Sequence, residues 1–277
     1  MLECVSKKKI HSNLRIVPLE THYNEGDRNM RLIIHGATGR MGKAVTELAE
    51  QNGHTIAAKA APGYMQDAPD KTPPEFCALS EAVPAADCVI DFSNHAAAGV
   101  LVRFCRARNL PVVIATTGHT PAEKQAIVEA AGDIPVFFSA NMSIGVAVLA
   151  DLARRAAAAL PDADIEIVEI HHNQKLDVPS GTALMLAKRI QSARPDSTLL
   201  IGRSENGRRT AQEIGIHSIR LGNEVGTHEI LISTGNEVLT LKHEAKSRAL
   251  FADGALAAAA WLIGKPAGLY SMQDIMG

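Results

Sequence analysis

Short apolar runs alternate with helical patterns through the first half of the chain. Each run is five or six residues long, a length typical of strands buried on both faces. One of the intervening helices has a well-formed start, in which Thr120 is the N-cap, Pro121 the first helical residue and Glu123 the partner in a capping box. Regular alternation of strand and helix indicates a Rossmann-like, doubly wound parallel sheet of the α/β class. The predicted strands are residues 31–35, 55–60, 88–92, 111–116 and 134–139.

The pattern changes after residue 140. A helix is predicted over 144–160, a strand over 165–171 and a helix over 180–193. Three strands then follow without intervening helices, at 214–221, 228–233 and 238–243, and an Ala-rich helix at 248–263 precedes a short tail with Gly and Pro. This order predicts a smaller α+β domain with a mixed or antiparallel sheet.

The pattern therefore divides the chain into three parts. Residues 30–140 together with 249–277 are predicted to form a dinucleotide-binding domain, and 141–248 a substrate-binding and oligomerisation domain. Residues 1–29 are polar and have no strong period, so we expect a poorly ordered extension. They lack the continuous apolar stretch of a secretory signal.

Composition narrows the class of protein. The 277 residues are 46% hydrophobic and 21% charged, which is ordinary globular usage and excludes a disordered, collagen-like or coiled-coil chain. The net charge of −2 gives no general reason to bind nucleic acid or an anionic membrane, and no apolar run is long enough to span a bilayer. The four cysteines are scattered without a C-x-x-C pair, so we expect a cytoplasmic protein.

A glycine motif lies between the first predicted strand and the first helix. Gly36, Gly39 and Gly42 have the spacing of a dinucleotide-binding turn, in which the backbone approaches a pyrophosphate at a helix N-terminus. The acidic residue that reads the ribose of NAD is missing at the end of the second strand, where Lys59 stands. Arg40 and Lys59 are candidates to meet a 2′-phosphate, so NADPH is at least as favoured as NADH.

A second group of reactive residues follows the strand predicted at 165–171. His171 and His172 end this strand, Lys175 lies in the next loop, and a helix starts at Ser180. Histidine suits proton transfer near neutral pH. The helix start offers N–H groups and hydroxyls to a carboxylate. Together these residues predict a site that holds an anionic substrate and gives it a proton. Metal-ligand spacing and a G-x-S-x-G elbow are both absent from the sequence, so neither a metal site nor a serine hydrolase is expected.

These motifs resemble those of the dihydrodipicolinate reductase family, which belongs to the diaminopimelate–lysine pathway. The resemblance covers about residues 30–277. Two departures are the 1–29 extension and the Lys59-Ala60 stretch, which replaces the acidic residue that many members carry. The matching segments are residues 36–42, 91–93, 115–118, 139–143, 171–183, 220–228 and 247–255.

The resemblance implies a reaction and roles for individual residues. NADPH or NADH would reduce a small cyclic dicarboxylate that loses water, and a protein acid would supply a proton. His171 would be that proton donor and Lys175 its catalytic partner. The family's tetramer implies a homotetramer built through the second sheet, with the last helix returning to the nucleotide domain. The substrate would be held by His172, Ser180, Gly181 and Thr182, and the cofactor by Gly36, Ala37, Thr38, Gly39, Arg40, Met41, Lys59, Phe92, Thr116, Thr117, Gly118 and Asn141.

Two other functions remain open at this level. One is a different nicotinamide-dependent reductase of the same two-domain build, acting on another amino-acid-like acid. The other is a non-catalytic nucleotide sensor that keeps the glycine motif. Both are disfavoured because His171 and Lys175 are present. Oxidation of bound NADPH on addition of substrate would distinguish a reductase from a sensor.

Overall fold

Two β-sheets organise the computed structural model, which describes residues 29–61, 76–80 and 83–276. The extension predicted over 1–29 therefore lies, apart from Asn29, outside the described residues. The strands are β1 Arg31–His35, β2 Thr55–Ala60, β3 Phe76–Cys77, β4 Cys88–Asp91, β5 Val112–Ile114, β6 Pro135–Phe138, β7 Asp164–His171, β8 Thr198–Ile201, β9 Glu213–Arg220, β10 Thr227–Ser233, β11 Val238–Glu244 and β12 Gly268–Tyr270. The helices are α1 Arg40–Gln51, α2 Ala98–Ala107, α3 Pro121–Ala130, α4 Ile144–Ala159, α5 Gly181–Gln191, α6 Ala249–Leu262 and α7 Met272–Met276.

The first sheet is parallel throughout and has the order β12-β6-β5-β4-β1-β2-β3. Side chains of one strand alternate between its two faces. In β1, Leu32 and Ile34 pack with α1 and α6, whereas Ile33 packs with α2 and α3. Because both faces are covered, the strands are continuously apolar. This confirms the predicted doubly wound sheet, and α6, which corresponds to the helix predicted over 248–263, packs on one of its faces.

The second sheet is mixed and has the order β11-β10-β7-β9-β8. The central strand β7 is antiparallel to β10 and parallel to β9. Ile165 and Ile167 of β7 are buried under α4 and α5. The alternation continues, so Glu169 and His171 at the end of β7 point to the same face and are also buried. The apolar face of this sheet thus becomes polar where β7 ends.

Several elements were absent from the sequence-based prediction. The predicted tail contains β12, which pairs with β6, and the short helix α7. β3 and β8 are also additional, and a 3₁₀ turn, His95–Ala97, precedes α2. β3 and β12 have only two and three residues. Such short strands exist only because a neighbour pairs with them, so a sequence period cannot indicate them. Among the described residues, none of the helices combines the length and the hydropathy needed to cross a bilayer.

Arg194 closes the C-terminus of α4 across a long sequence separation. Its Nε donates to the carbonyl of Ala157 at 3.1 Å, its Nη1 to that of Ala163 at 2.7 Å and its Nη2 to that of Leu160. The last carbonyls of a helix have no partner within the helix, so this one guanidinium satisfies three acceptors at the helix end. It also ties the segment after α5 to α4.

We expect Arg194→Gln to lower the free energy of unfolding by about 1–3 kcal/mol, since partly buried carbonyls lose their donor. Urea unfolding followed by circular dichroism measures the loss. The control is Arg155→Gln, which removes an exposed ion pair with Asp151 on the same helix and should cost under about 1 kcal/mol. Equal losses for the two variants would contradict the capping role of Arg194.

Candidate active site

The glycine turn between β1 and α1 leaves no room for a side chain at Gly36 or Gly42. Gly36 has a φ of +84°, in the left-handed region, and a Cβ there would lie 2.6 Å from the carbonyl oxygen of Phe92. A Cβ on Gly42 would lie 2.2 Å from the carbonyl oxygen of Gly36. The backbone N–H groups of Gly36 and Ala37 donate to the carbonyl of Ala60, at 2.8 and 3.1 Å, which ties the turn to the end of β2.

The N-terminus of α1 fits an anionic group. Its N-cap is Gly39, so no side chain caps it, and its first turn carries no acidic residue. By contrast, α3, α4 and α5 are capped by the side chains of Thr120, Ser143 and Ser180. The first N–H groups of a helix need a partner, and a phosphate supplies one. The turn therefore has the form that a dinucleotide pyrophosphate requires.

A cavity of about 520 Å³ opens in front of this turn. Its size is that of an ordinary small-ligand pocket. Of the predicted cofactor residues, those that line it are Gly39, Arg40, Met41, Phe92, Thr116 and Thr117. The lining residues that the sequence reasoning missed are Ser93, Asn94, His95, Ala115, Ala140, Met142 and Phe251.

The other predicted cofactor residues lie outside the lining of the cavity. Lys59 is directed to Glu50, with 3.8 Å between Nζ and Oε1. Gly118 is next to His95, since a Cβ on Gly118 would lie 3.8 Å from its ring. Ala37 is buried and Thr38 is exposed at the glycine turn. Lys59 thus has a carboxylate partner within the protein, as a lysine on the surface commonly does.

Asp91 fixes the floor of the cavity from beneath. It is buried and ends β4. Its carboxylate bonds to His35 Nδ1 at 2.8 Å, accepts from Thr116 Oγ1 at 2.7 Å and accepts from Ser93 Oγ at 2.5 Å. One side chain therefore joins the ends of three segments, those after β1, β4 and β5. The signal in the sequence is a charged residue inside an otherwise apolar run.

The second predicted group surrounds the end of β7 and the start of α5. His171 is buried and His172 is half-buried, so the two adjacent histidines have different surroundings. Lys175 Nζ lies 2.9 Å from Asp177 Oδ1. Thr182 Oγ1 accepts a hydrogen bond of 2.9 Å from Asn141 Nδ2. This last bond joins the loop after β6, at the edge of the first sheet, to the helix start beside the second sheet.

Glu169 lies behind His171 and was missed by the sequence reasoning. It is fully buried, and its Oε2 bonds to His171 Nδ1. Arg220 donates to both of its oxygens, at 2.9 and 3.1 Å, and Ser180 N donates to Oε1 at 3.3 Å. Burial alone raises the pKa of Glu169, but the hydrogen bonds from His171 and Arg220 outweigh it and lower that pKa to about 2. The alternation of β7 was the available signal, since it places Glu169 on the face of His171.

His228 of β10 also lies at this site and was not predicted from the sequence. It is buried, its Nε2 lies 3.2 Å from Ser180 Oγ, and its ring centre lies 5.2 Å from that of His171. Burial, followed by the positive charge of His171, lowers the pKa of His228 to about 3. His228 is therefore neutral at physiological pH. Within the described part of the chain, no three His, Cys, Asp or Glu side chains group as a metal site would need.

Comparison with known proteins identifies the chain's relatives. A family model described as dihydrodipicolinate reductase, N-terminus, matches residues 30–142, and one described as dihydrodipicolinate reductase, C-terminus, matches residues 145–276. A 4-hydroxy-tetrahydrodipicolinate reductase of Caldanaerobacter subterraneus is 45% identical over 249 residues, which are 89% of this chain and 98% of the relative. One of Akkermansia muciniphila is 41% identical and covers 89% of this chain and 97% of that protein.

Solved structures agree with this result. A dihydrodipicolinate reductase from Paenisporosarcina, with dipicolinate bound, superposes with a TM-score of 0.72 at 26% identity and covers 90% of this chain and all of that chain. A diaminopimelate dehydrogenase of C. glutamicum has a TM-score of 0.52 at 15% identity, covering 89% of this chain and 93% of its own. The second likeness supports the fold alone.

We expect Gly42→Ala to weaken nicotinamide-cofactor binding by at least about tenfold, since the added methyl would collide with the backbone of the turn and displace it. Titration of NADPH fluorescence measures the affinity. The control is Gly207→Ala, because nothing lies within 4 Å of a Cβ there. Unchanged affinity in a correctly folded Gly42→Ala protein would contradict the assignment of this turn to the cofactor.

Proposed function

The chain belongs to the dihydrodipicolinate reductase family, and we propose that its reaction takes place where the glycine turn and the start of α5 face a common cleft. The reaction is the NAD(P)H-dependent reduction of 4-hydroxy-tetrahydrodipicolinate to tetrahydrodipicolinate with loss of water, in diaminopimelate and lysine biosynthesis. The observation that carries the proposed location is the Asn141–Thr182 hydrogen bond, which brings the start of α5 next to Asn141, the neighbour of the cavity residues Ala140 and Met142.

The cofactor occupies the glycine turn and the adjoining cavity in this proposal. The pyrophosphate meets the uncapped start of α1, with Arg40 beside it and Phe92 and Thr116 in the cavity wall. When bound, the nicotinamide supplies the hydride that reduces the substrate ring. Arg40 is the better-placed cation for a 2′-phosphate, since Lys59 is paired with Glu50. Either NADPH or NADH remains compatible with these residues.

The substrate is a dianion, and the start of α5 suits one of its carboxylates. Gly181 and Thr182 open the helix, its first turn has no acidic residue, and Ser180 is its N-cap. His172 lies eight residues before Ser180 and is half-buried. We assign these four residues to the substrate. The Paenisporosarcina enzyme was solved with dipicolinate bound, itself a cyclic dicarboxylate, which supports a dicarboxylate as the class of substrate.

His171 is assigned as the proton donor and Lys175 as its catalytic partner. The substrate loses its hydroxyl as water, and the resulting ring accepts a hydride at one atom and a proton at another. Glu169 accepts only, so the Nδ1 of His171 carries a hydrogen towards it and Nε2 is the atom that delivers the proton. Lys175 adds a positive charge that stabilises the negative charge developing on the ring.

The proposed division into domains follows the two sheets. Residues 30–140 and 249–277 would form the cofactor domain, and 141–248 the substrate domain. We also propose a homotetramer. Its support is the face of the second sheet opposite α4 and α5, where Leu231 lies in the middle and Val238 at one edge is 61% exposed. A cytoplasmic location is part of this proposal and agrees with the free thiols of Cys77, Cys88 and Cys105.

We expect His171→Gln or Lys175→Ala to lower kcat by about 100-fold or more, since each removes a group that acts on the reacting ring. NADPH affinity should stay nearly unchanged, because neither residue lines the cofactor cavity. Oxidation of NADPH followed at 340 nm, with the substrate generated in place by the preceding synthase from pyruvate and aspartate semialdehyde, measures kcat.

The control is His54→Gln. His54 lies just before β2, at the opposite end of the strands from the cofactor cavity. It should retain most of the activity. Parallel loss of rate and of NADPH affinity in the His171 and Lys175 variants would refute the assigned roles.

The tetramer is tested by Leu231→Lys, since an interface on this face of the sheet would bury the added lysine. Light scattering after size exclusion should give the mass of four chains for the unchanged protein and a smaller mass for the variant. Val128→Lys on α3, an apolar residue that is 47% exposed, is the control and should remain tetrameric. A monomeric unchanged protein would overturn this part of the proposal.

A further inference from the structure

Glu169 is a buried carboxylate shared between a histidine and an arginine. His171 and Arg220 both bond to it, and Arg220 does so with two nitrogens, at 2.9 and 3.1 Å. A carboxylate without exposure cannot be stabilised by water, so these donors hold its charge in place. The position of each partner therefore determines how strongly the negative charge of Glu169 acts on the other partner.

The orientation of His171 follows from this contact. Since Glu169 has only acceptors, the imidazole must keep a hydrogen on Nδ1 whether it is neutral or charged. The proton that is gained and lost is then on Nε2. Gly226 lies against Nε2, where a Cβ would approach it to 3.0 Å, so a larger residue at 226 would crowd that atom.

The charges around His171 come from several elements. Arg220 of β9 is bound to Glu169, and Lys175 of the loop after β7 is paired with Asp177. His228 of β10 is neutral, and His243, opposite it on β11, is also shifted by burial to a lower pKa. His172 follows in the chain and is half-buried. Glu169 therefore supplies the negative charge nearest to His171, and Arg220 counteracts it.

We propose that Glu169 is a positioning residue that fixes His171 and stabilises its charged form, while Arg220 limits this stabilisation. The proposal rests on the assignment of His171 as the proton donor. With Arg220 in place, the negative charge of Glu169 is already compensated by the positive charge of Arg220 before His171 takes up its proton. The two negative charges of the substrate then favour the charged imidazole at the moment the proton is needed.

Arg220 also binds the loop that precedes α5. Its Nη2 donates to the carbonyl of Asp177 at 2.6 Å, and Ser180 N donates to Glu169 at 3.3 Å. The same pair of charges thus fixes both ends of the segment 177–180, which leads into the substrate-binding start of α5. Loss of Arg220 should loosen this segment as well as free the charge of Glu169.

The test compares the pH dependence of kcat/KM for Glu169→Gln and Arg220→Gln in the synthase-coupled assay. A proton donor must be charged, so kcat/KM falls as the pH rises along the alkaline limb. Glu169→Gln leaves Arg220 unpaired beside His171, so this limb should move to lower pH by about one unit or more, and kcat should fall about 10- to 100-fold. Arg220→Gln should move the limb to higher pH and raise KM.

Shifts of the alkaline limb in opposite directions distinguish a positioning role from damage to the fold, because damage would not shift this limb systematically in either variant. Glu169→Asp should recover part of the kcat lost in Glu169→Gln. The matched control is Asp87→Asn, because Asp87 is also a carboxylate paired with an arginine, Arg31, but lies before β4 of the first sheet, and it should leave the profile unchanged.

Limbs that stay in place in both variants, or move in the same direction, would overturn the proposal. If Glu169→Gln does not fold, Arg220→Gln alone still decides, since an unmoved or lowered limb contradicts the role given to it. The underlying assignment fails separately: a His171→Gln protein that keeps its rate would exclude His171 as the donor, whatever the other profiles show.

Discussion

A charge that is sealed from water must be compensated by the groups that surround it, and it thereby dictates where they lie. Glu169 imposes this constraint on the catalytic half of the molecule. Its two oxygens hold His171 from its own strand, Arg220 from β9 and the backbone of Ser180 at the start of α5. The strand end, the substrate loop and the helix N-terminus are therefore placed relative to each other by one side chain. The proposed proton donor inherits its orientation from it.

A comparable arrangement supports the cofactor half. Asp91 ends β4 and bonds to His35, Ser93 and Thr116, so the ends of neighbouring parallel strands are joined beneath the cavity. In both sheets, a buried carboxylate stands where the apolar part of a strand ends. Ligands of open α/β sheets bind at the carboxyl ends of the strands. The reactive residues can then be held on rigid elements while the loops between them adapt to the ligand.

The sequence predicted much of the fold because its signals are local. The five apolar runs of the first sheet were identified with their approximate bounds, and the capping box of Thr120 and Glu123 is present. The glycine turn was predicted from the spacing of its glycines between a strand and a helix, and the start of α5 from its group of polar residues and from the family resemblance. The site residues that were not predicted depend on contacts between positions that are far apart in the chain. Arg220 is 51 residues from Glu169, and His228 is 48 residues from Ser180. No spacing rule links such pairs, and only the alternation of β7 suggested that Glu169 faces inward.

Lys59, predicted from its place after the glycine motif, lies near Glu50 instead, a local pairing that competes with any ligand.

A crystal structure with both the nicotinamide cofactor and dipicolinate bound is the most direct test of the proposed site. The pyrophosphate should lie at the start of α1, and a dipicolinate carboxylate should lie at Gly181 and Thr182. His171 Nε2 should point to the ring while Nδ1 keeps its bond to Glu169. Dipicolinate bound away from α5, or a His171 ring that turns from the ligand and leaves Glu169, would contradict the account.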